Sequence, residues 1–241
     1  WLVEELDAPS AAGLLQDMAY VGAGYVLAEL DLDLAQQILQ QLKLEDAAYI
    51  LDDMDTAPAA AILSEMESAQ CAPFLAQMVP DAAALILAEL EYDHAAAVLA
   101  AMEYDAAAGL VQELEPSAAG PILSEMAPGD AAEVLAVMDY DYGAAAVLAE
   151  LDPELCGKIL AQMETSVAAG IVAEMEYETS AACLSTMDDD VACNVLTEMD
   201  ASVAAGVVSL MEAEHAGSIL MATESYAKVA EIFEHLTEEC A

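Results

Sequence analysis

A large apolar residue returns every twelve positions along this chain. It stands at Leu6, Met18, Leu30, Leu42, Met54, Met66, Met78, Leu90, Met102, Leu114, Met126 and Met138. After one inserted residue it resumes at Leu151, Met163, Met175, Met187, Met199 and Met211. A fixed short period means one structural unit stacked many times, each unit burying its apolar face against its neighbours. Arrays of this kind serve mostly as scaffolds, binding surfaces or regulators.

The stretch from Leu90 to Met102 represents the unit. Ala95, Val98, Leu99 and Met102 are spaced i, i+3, i+4, i+7, one face of an α-helix. Asp93 stands just before that face, where an N-cap is expected, and Asp33, Asp81, Asp105, Ser117, Asp141, Ser166, Asp190 and Ser202 occupy equivalent places. Pro80, Pro116, Pro128 and Pro153 precede the helix, where no backbone donor is lost. Each unit therefore reads as a helix of about nine residues and a loop of about three. A helix that short is unstable alone and must pack on others. Pro73 and Pro121 fall inside their helices and predict a local bend rather than a break.

The expected fold is an all-α superhelical α-solenoid of about twenty short helices, occupying residues 1–223, with 224–241 as a longer closing helix or cap. Whether the structural unit is two or three helices stays open. The first residues, Trp1 to Leu6, read as the tail of a repeat already under way and suggest a fragment or processed product of something longer. No signal peptide is recognisable, no apolar run is long enough to span a membrane, and the sequence gives no compartment.

Charge is the second constraint. The chain carries 46 Asp and Glu against 3 Lys and Arg, a formal net charge of −43. Such a surface repels phosphate backbones and anionic lipid, which argues against nucleic acid and membrane insertion. It favours cations or a basic protein. At 59% hydrophobic with strict periodicity, the chain is not disordered.

The acids sort by position. One set directly precedes the anchor, as at Glu65, Glu89 and Glu113; a second directly follows it, as at Glu91, Glu103 and Asp188; a third lies in the N-cap region. Capping and the positive helix N-terminus explain the third. The first two are expected at helix C-termini, where the macrodipole disfavours anions by ~0.3–1 kcal/mol each. Stacking would line up these charges, and hard cations such as Ca²⁺ or Mg²⁺, weakly held by carboxylates, would relieve the repulsion. The candidate ligands are Glu91, Asp93, Glu103, Asp105, Asp139, Asp141, Glu176, Glu178, Asp188, Asp189 and Asp190. A solvated acidic surface and a face for a basic partner are the competing explanations.

Other residue types point to packing. Cys71, Cys156 and Cys193 replace Ala or Gly of other units, and Cys183 replaces Ile or Val. They read as small buried apolar residues, with Cys183 and Cys193 the one pair to check for a disulfide. Tyr20, Tyr92, Tyr104, Tyr140 and Tyr177 share one loop position and read as rings packed on the adjacent helix, or as a row of partner contacts. The methionines read as core anchors, and the three isolated histidines as no metal site. Nucleophile elbows, phosphate-cradling Gly loops and metalloprotease helices are absent from the sequence, which predicts a non-enzymatic chain.

The stretch Val147-Leu148-Ala149-Glu150-Leu151-Asp152-Pro153-Glu154-Leu155-Cys156-Gly157-Lys158-Ile159-Leu160, and the shorter Asp130-Ala131-Ala132-Glu133-Val134-Leu135, resemble the intracellular N-terminal domain of the MgtE family of magnesium transporters. The resemblance implies a superhelix of short helices taking part in magnesium-dependent closure of a channel. Three functions follow as expectations. The first is a structural scaffold whose acidic rims bind divalent cations, associating with copies of itself or a longer array, end to end into a filament. The second, implied by the resemblance, is a regulatory magnesium sensor of an MgtE-like transporter. The third is a binding module for a basic protein.

Overall fold

A computed structural model describes residues 6–18, 20–138, 143–222 and 225–239. Among them there are nineteen helices and no strand. The chain divides into two compact units, Trp1–Met126 and Ala127–Ala241. The first holds α1 (Ala8–Gln16), α2 (Tyr20–Ala28), α3 (Leu32–Gln41), α4 (Leu44–Asp52), α5 (Thr56–Ser64), α6 (Ser68–Gln77), α7 (Pro80–Glu89), α8 (Tyr92–Ala100), α9 (Tyr104–Glu113) and α10 (Pro116–Ser124). The second holds α11 (Pro128–Ala136), α12 (Gly143–Ala149), α13 (Pro153–Leu160), α14 (Thr165–Glu174), α15 (Tyr177–Leu184), α16 (Asp189–Glu198), α17 (Ala201–Ser209), α18 (Ala213–Met221) and α19 (Tyr226–Glu239). Where both ends are described, the linkers are two to four residues long.

The core face is the one the spacing predicts. In α8, Ala95, Ala96, Val98 and Leu99 are all buried, and Met102 closes the layer behind them at 8% exposure. The same fourth, fifth, seventh and eighth helical positions are buried in α4, α5, α6 and α7, and in α11, α14 and α16. Each of these helices buries two small residues and two large ones.

Within each unit the dominant packing runs from a helix to the one two along. α1, α3, α5, α7 and α9 lie on one another in turn, as do α2, α4, α6, α8 and α10; in the second unit α11, α13, α15, α17 and α19 form one stack and α12, α14, α16 and α18 the other. The repeating element of this helical solenoid is thus a pair of helices, about two twelve-residue periods. The small residues explain the arrangement. A Cβ added to Gly24, the fifth residue of α2, would meet the Met54 side chain at 2.7 Å and the Ile50 carbonyl oxygen at 3.4 Å. The fifth position of one helix therefore lies against the seventh residue and anchor of the helix two along. Most helices place Gly, Ala or Cys there, which lets them approach this closely; α3 has Gln36, whose side-chain N–H donates to the Ile62 carbonyl oxygen at 3.1 Å.

The helix starts differ from the sequence expectation. Asp93 is not an N-cap: α8 begins at Tyr92 and its cap is Glu91, whose carbonyl accepts the first helical bond from the Ala95 N–H at 2.9 Å. The shift of two residues recurs at Asp31, Glu103, Glu115, Glu164, Asp188 and Asp200, each a cap in place of the residue two further on. In α7, α10, α11 and α13 a proline, Pro80, Pro116, Pro128 or Pro153, stands at the first helical position, where its fixed φ starts the helix, rather than before it; at the other caps named the residue after the anchor caps, because the helix N-terminus favours an anion there as readily as two residues on. Pro73 and Pro121 sit at the sixth helical residue, and both helices run through them.

Candidate functional site

The corrected helix starts reassign the acids. Those following the anchor do not sit at helix C-termini; they are N-caps of the next helix, where the positive end of the macrodipole favours them. Among the candidate ligands, Glu91, Glu103, Glu176 and Asp188 are caps of α8, α9, α15 and α16, and Asp93, Asp105, Glu178, Asp189 and Asp190 lie in the first turns. Asp93 accepts from the His94 N–H at 2.8 Å. Asp139 and Asp141 lie outside the described residues. Only the acids preceding the anchor oppose a helix end. Asp17, Asp53, Glu65 and Glu125 are C-caps, and Glu89, Glu113, Glu174 and Glu198 end their helices.

Caps differ in how fully they are used. Asp200 accepts from the Ser202 N–H at 2.9 Å and from the Ser202 hydroxyl at 2.6 Å. The Ser202 hydroxyl and N–H hold its carboxyl below the usual aspartate value. A lowered folded-state pKa means stability present above the unfolded value, about 3.9, and lost as pH falls through the folded one. Asp200→Ala is expected to melt below the parent at neutral pH, with the gap closing under acid. A pH series of thermal melts on the two proteins checks it. Asp7 behaves alike through Ser10. Asp52 runs the other way: burial raises its pKa, while it accepts from the Val79 N–H at 3.1 Å and ties α4 to the turn before α7.

Acids from different helices converge in grooves. In the first unit, Ala57, Ala60, Ala61, Ser64 and Glu65 of α5 and its cap face Glu89 and Glu91 across a groove of about 430 Å³. In the second, Ala132, Glu133 and Ala136 of α11 face Gln162, Met163, Glu164 and Val167 across about 330 Å³. A smaller recess in the first unit sets Gly24, Tyr25 and Ala28 of α2 against Asp53, Met54 and Asp55. All three share one register: a floor of small residues on one helix, and a rim from the residues around an anchor two helices along. Of the candidate ligands among the described residues, Glu91 lines one of these three grooves. Glu65 and Glu89, its companions there, were not among those candidates. The signal that links them is their 24-residue spacing, one helix pair, rather than the 12-residue period. Among the described residues no three His, Cys, Asp or Glu side chains are arranged to hold a metal ion.

The remaining residue types fall into packing roles. Tyr92, Tyr104 and Tyr177 open their helices, and the Tyr177 ring lies where a Gly206 Cβ would come within 2.6 Å of it, so the ring packs on the helix two along. Tyr20 stacks on Tyr49 with ring centroids 5.3 Å apart. Tyr140 lies outside the described residues. Cys71, Cys156, Cys183 and Cys193 are buried, and none of them is in a disulfide. The Cys71 thiol donates to the Leu63 carbonyl oxygen at 3.2 Å, and burial pushes it up to about 11. Lys158–Glu154 at 2.8 Å and Lys228–Glu231 at 3.8 Å are exposed ion pairs that contribute little. Among the described residues, no helix is long and apolar enough to cross a membrane.

No curated protein and no solved structure matches the chain. The model of the MgtE intracellular N domain matches it three times, over residues 1–94, 69–143 and 141–226. The first two matches overlap, as a repeat of fixed period allows. With nearly the whole repeat array covered, this chain belongs to the MgtE intracellular N domain family.

Proposed function

We propose that this chain is a regulatory, non-enzymatic domain of a magnesium-transporter system, responding to divalent cations through its acidic grooves. The observation that carries the reading is the threefold family match across residues 1–226. The chemistry of the grooves is compatible with it. Carboxylate oxygens are hard donors, suited to Mg²⁺ or Ca²⁺, and Mg²⁺ keeps most of its water and binds through one or two carboxylates. Glu65 at the end of α5, and Glu89 and Glu91 around the turn from α7 to α8, line one groove. Their mutual repulsion opposes the packing of α5 on α7, and a hydrated dication between them would offset it. Cation loss would then loosen the stack, a mechanical signal that a partner domain can read.

The alternative, a structural scaffold associating with its own copies, draws support from the uniform helix-on-helix packing and from Tyr226 and Phe233 of α19, which are 73% and 50% exposed.

Thermal melts test the regulatory reading. Magnesium chloride is expected to raise the melting temperature beyond sodium chloride of matched ionic strength. Replacing Glu65 and Glu89, which both end their helices, by Gln should raise the cation-free melting temperature and blunt the magnesium response. Equal effects of the two salts on the parent protein would sink the proposal.

A further inference from the structure

Two cysteines meet where other units place an alanine against a branched aliphatic residue. Cys156 is the fourth residue of α13 and Cys183 the seventh of α15, and both are fully buried. In the equivalent places of α8 and α10 stand Ala95 and Ile122. The contact is unusually close. A Cβ on Gly157, the neighbour of Cys156, would come within 2.9 Å of the Cys183 carbonyl oxygen. The Thr186 hydroxyl donates to the Pro153 carbonyl at 3.0 Å, tying the turn after α15 to the start of α13. The two side chains meet in this contact, and their interaction makes Cys183 the easier to ionise and Cys156 the harder. Cys183 and Cys193 stand on successive helices, α15 and α16, and no disulfide joins them.

The geometry points to Cys156 and Cys183 as a reversible modification site, a dithiol that a peroxide converts to a disulfide joining α13 to α15. The Cys183 thiolate attacks one peroxide oxygen, the O–O bond breaks, hydroxide leaves and a sulfenic acid forms. The Cys156 sulfur then displaces hydroxide from that sulfur, and the S–S bond closes. The two thiol protons convert the two hydroxides to water. Two electrons pass from the thiols to the peroxide, so two thiols and one hydrogen peroxide give one disulfide and two waters. Both sulfurs are buried, so oxidant arrives through local opening of the stack and the reaction is slower than at an exposed thiol. Cys71, whose proton is held toward the Leu63 carbonyl and whose pKa is raised by burial, is a built-in unreactive control.

The test uses the full chain, reduced and then treated with hydrogen peroxide. Remaining thiols are alkylated and the protein is digested without reductant for mass spectrometry. The expected result is one cross-linked peptide pair carrying Cys156 and Cys183, cleaved by dithiothreitol, with Cys71 and Cys193 alkylated. Cys156→Ala and Cys183→Val each restore the residue type of other units, so both should fold with unchanged helicity and lose the cross-link. Recovery of Cys156 and Cys183 as alkylated thiols or sulfinic acids, or a cross-link from Cys183 to Cys193, overturns the proposal.

Discussion

Leu99→Ala is expected to destabilise the first unit by about 3 kcal/mol, measured by chemical denaturation. Leu99 is fully buried at the eighth position of α8. It sits among Ala95, Ala96 and Val98 of its own helix, all buried, with the Met102 anchor closing behind. A nine-residue helix has almost no stability of its own, so what holds α8 is the packing that Leu99 supplies. The small residues around it leave little to collapse into the void. Leu85, in the adjacent α7 but 61% exposed, gives the contrast: Leu85→Ala is expected to change stability by less than about 0.5 kcal/mol. Equal losses at the two sites would mean that the assigned core face is wrong.

Two glycine substitutions should move stability in opposite directions. An alanine in a helix interior is favoured over glycine by about 0.8–1 kcal/mol. At Gly109 in α9 nothing lies within 4 Å of an added Cβ, so Gly109→Ala is expected to realise most of that gain. At Gly157 the same methyl would collide with the Thr186 hydroxyl and press on the Cys183 carbonyl oxygen at 2.9 Å and Met187 at 3.2 Å. The hydroxyl can rotate away, but the carbonyl belongs to the backbone of α15 and moves only with the helix. Overpacking of this kind costs about 1–3 kcal/mol, enough to reverse the propensity gain. Paired thermal melts decide it, and a stabilised Gly157→Ala protein would refute the close approach of α13 and α15.

The residues that made the fold legible are the four buried positions of each helix. Ala95, Ala96, Val98 and Leu99 repeat their spacing throughout, and periodicity of that kind reports which face is buried with no knowledge of the partner. Helix starts were less legible, because Glu91 and Asp93 are both acidic and the helix N-terminus favours an anion at either place. Two residues of error there inverted the electrostatic reading of half the ladder. It placed Glu103 and Asp188 at ends that repel them, when they cap ends that attract them. The partner of each helix was not legible at all. Near-identical units repeat at 12, 24 and 36 residues alike, which left the structural unit open between two and three helices. Glu65 facing Glu89, and Cys156 facing Cys183, therefore emerged only from the packing.

The helix-to-second-neighbour packing also bears on how the chain is made. Two of the described side-chain hydrogen bonds between helices, Cys71 to Leu63 and Ser180 to Val172, reach eight residues, and the others that link separate helices or turns reach 23 to 33, as from Cys71 to His94 and from Thr186 to Pro153. A ribosome adds that length in roughly 1–7 s. Each helix leaving the exit tunnel thus waits only for the next two to emerge before its apolar face is covered. Contacts this local favour rapid consolidation from the N-terminal side. A nascent chain stalled partway would carry a finished stack behind a short uncovered tip, so only its newest helices would offer apolar surface to chaperones.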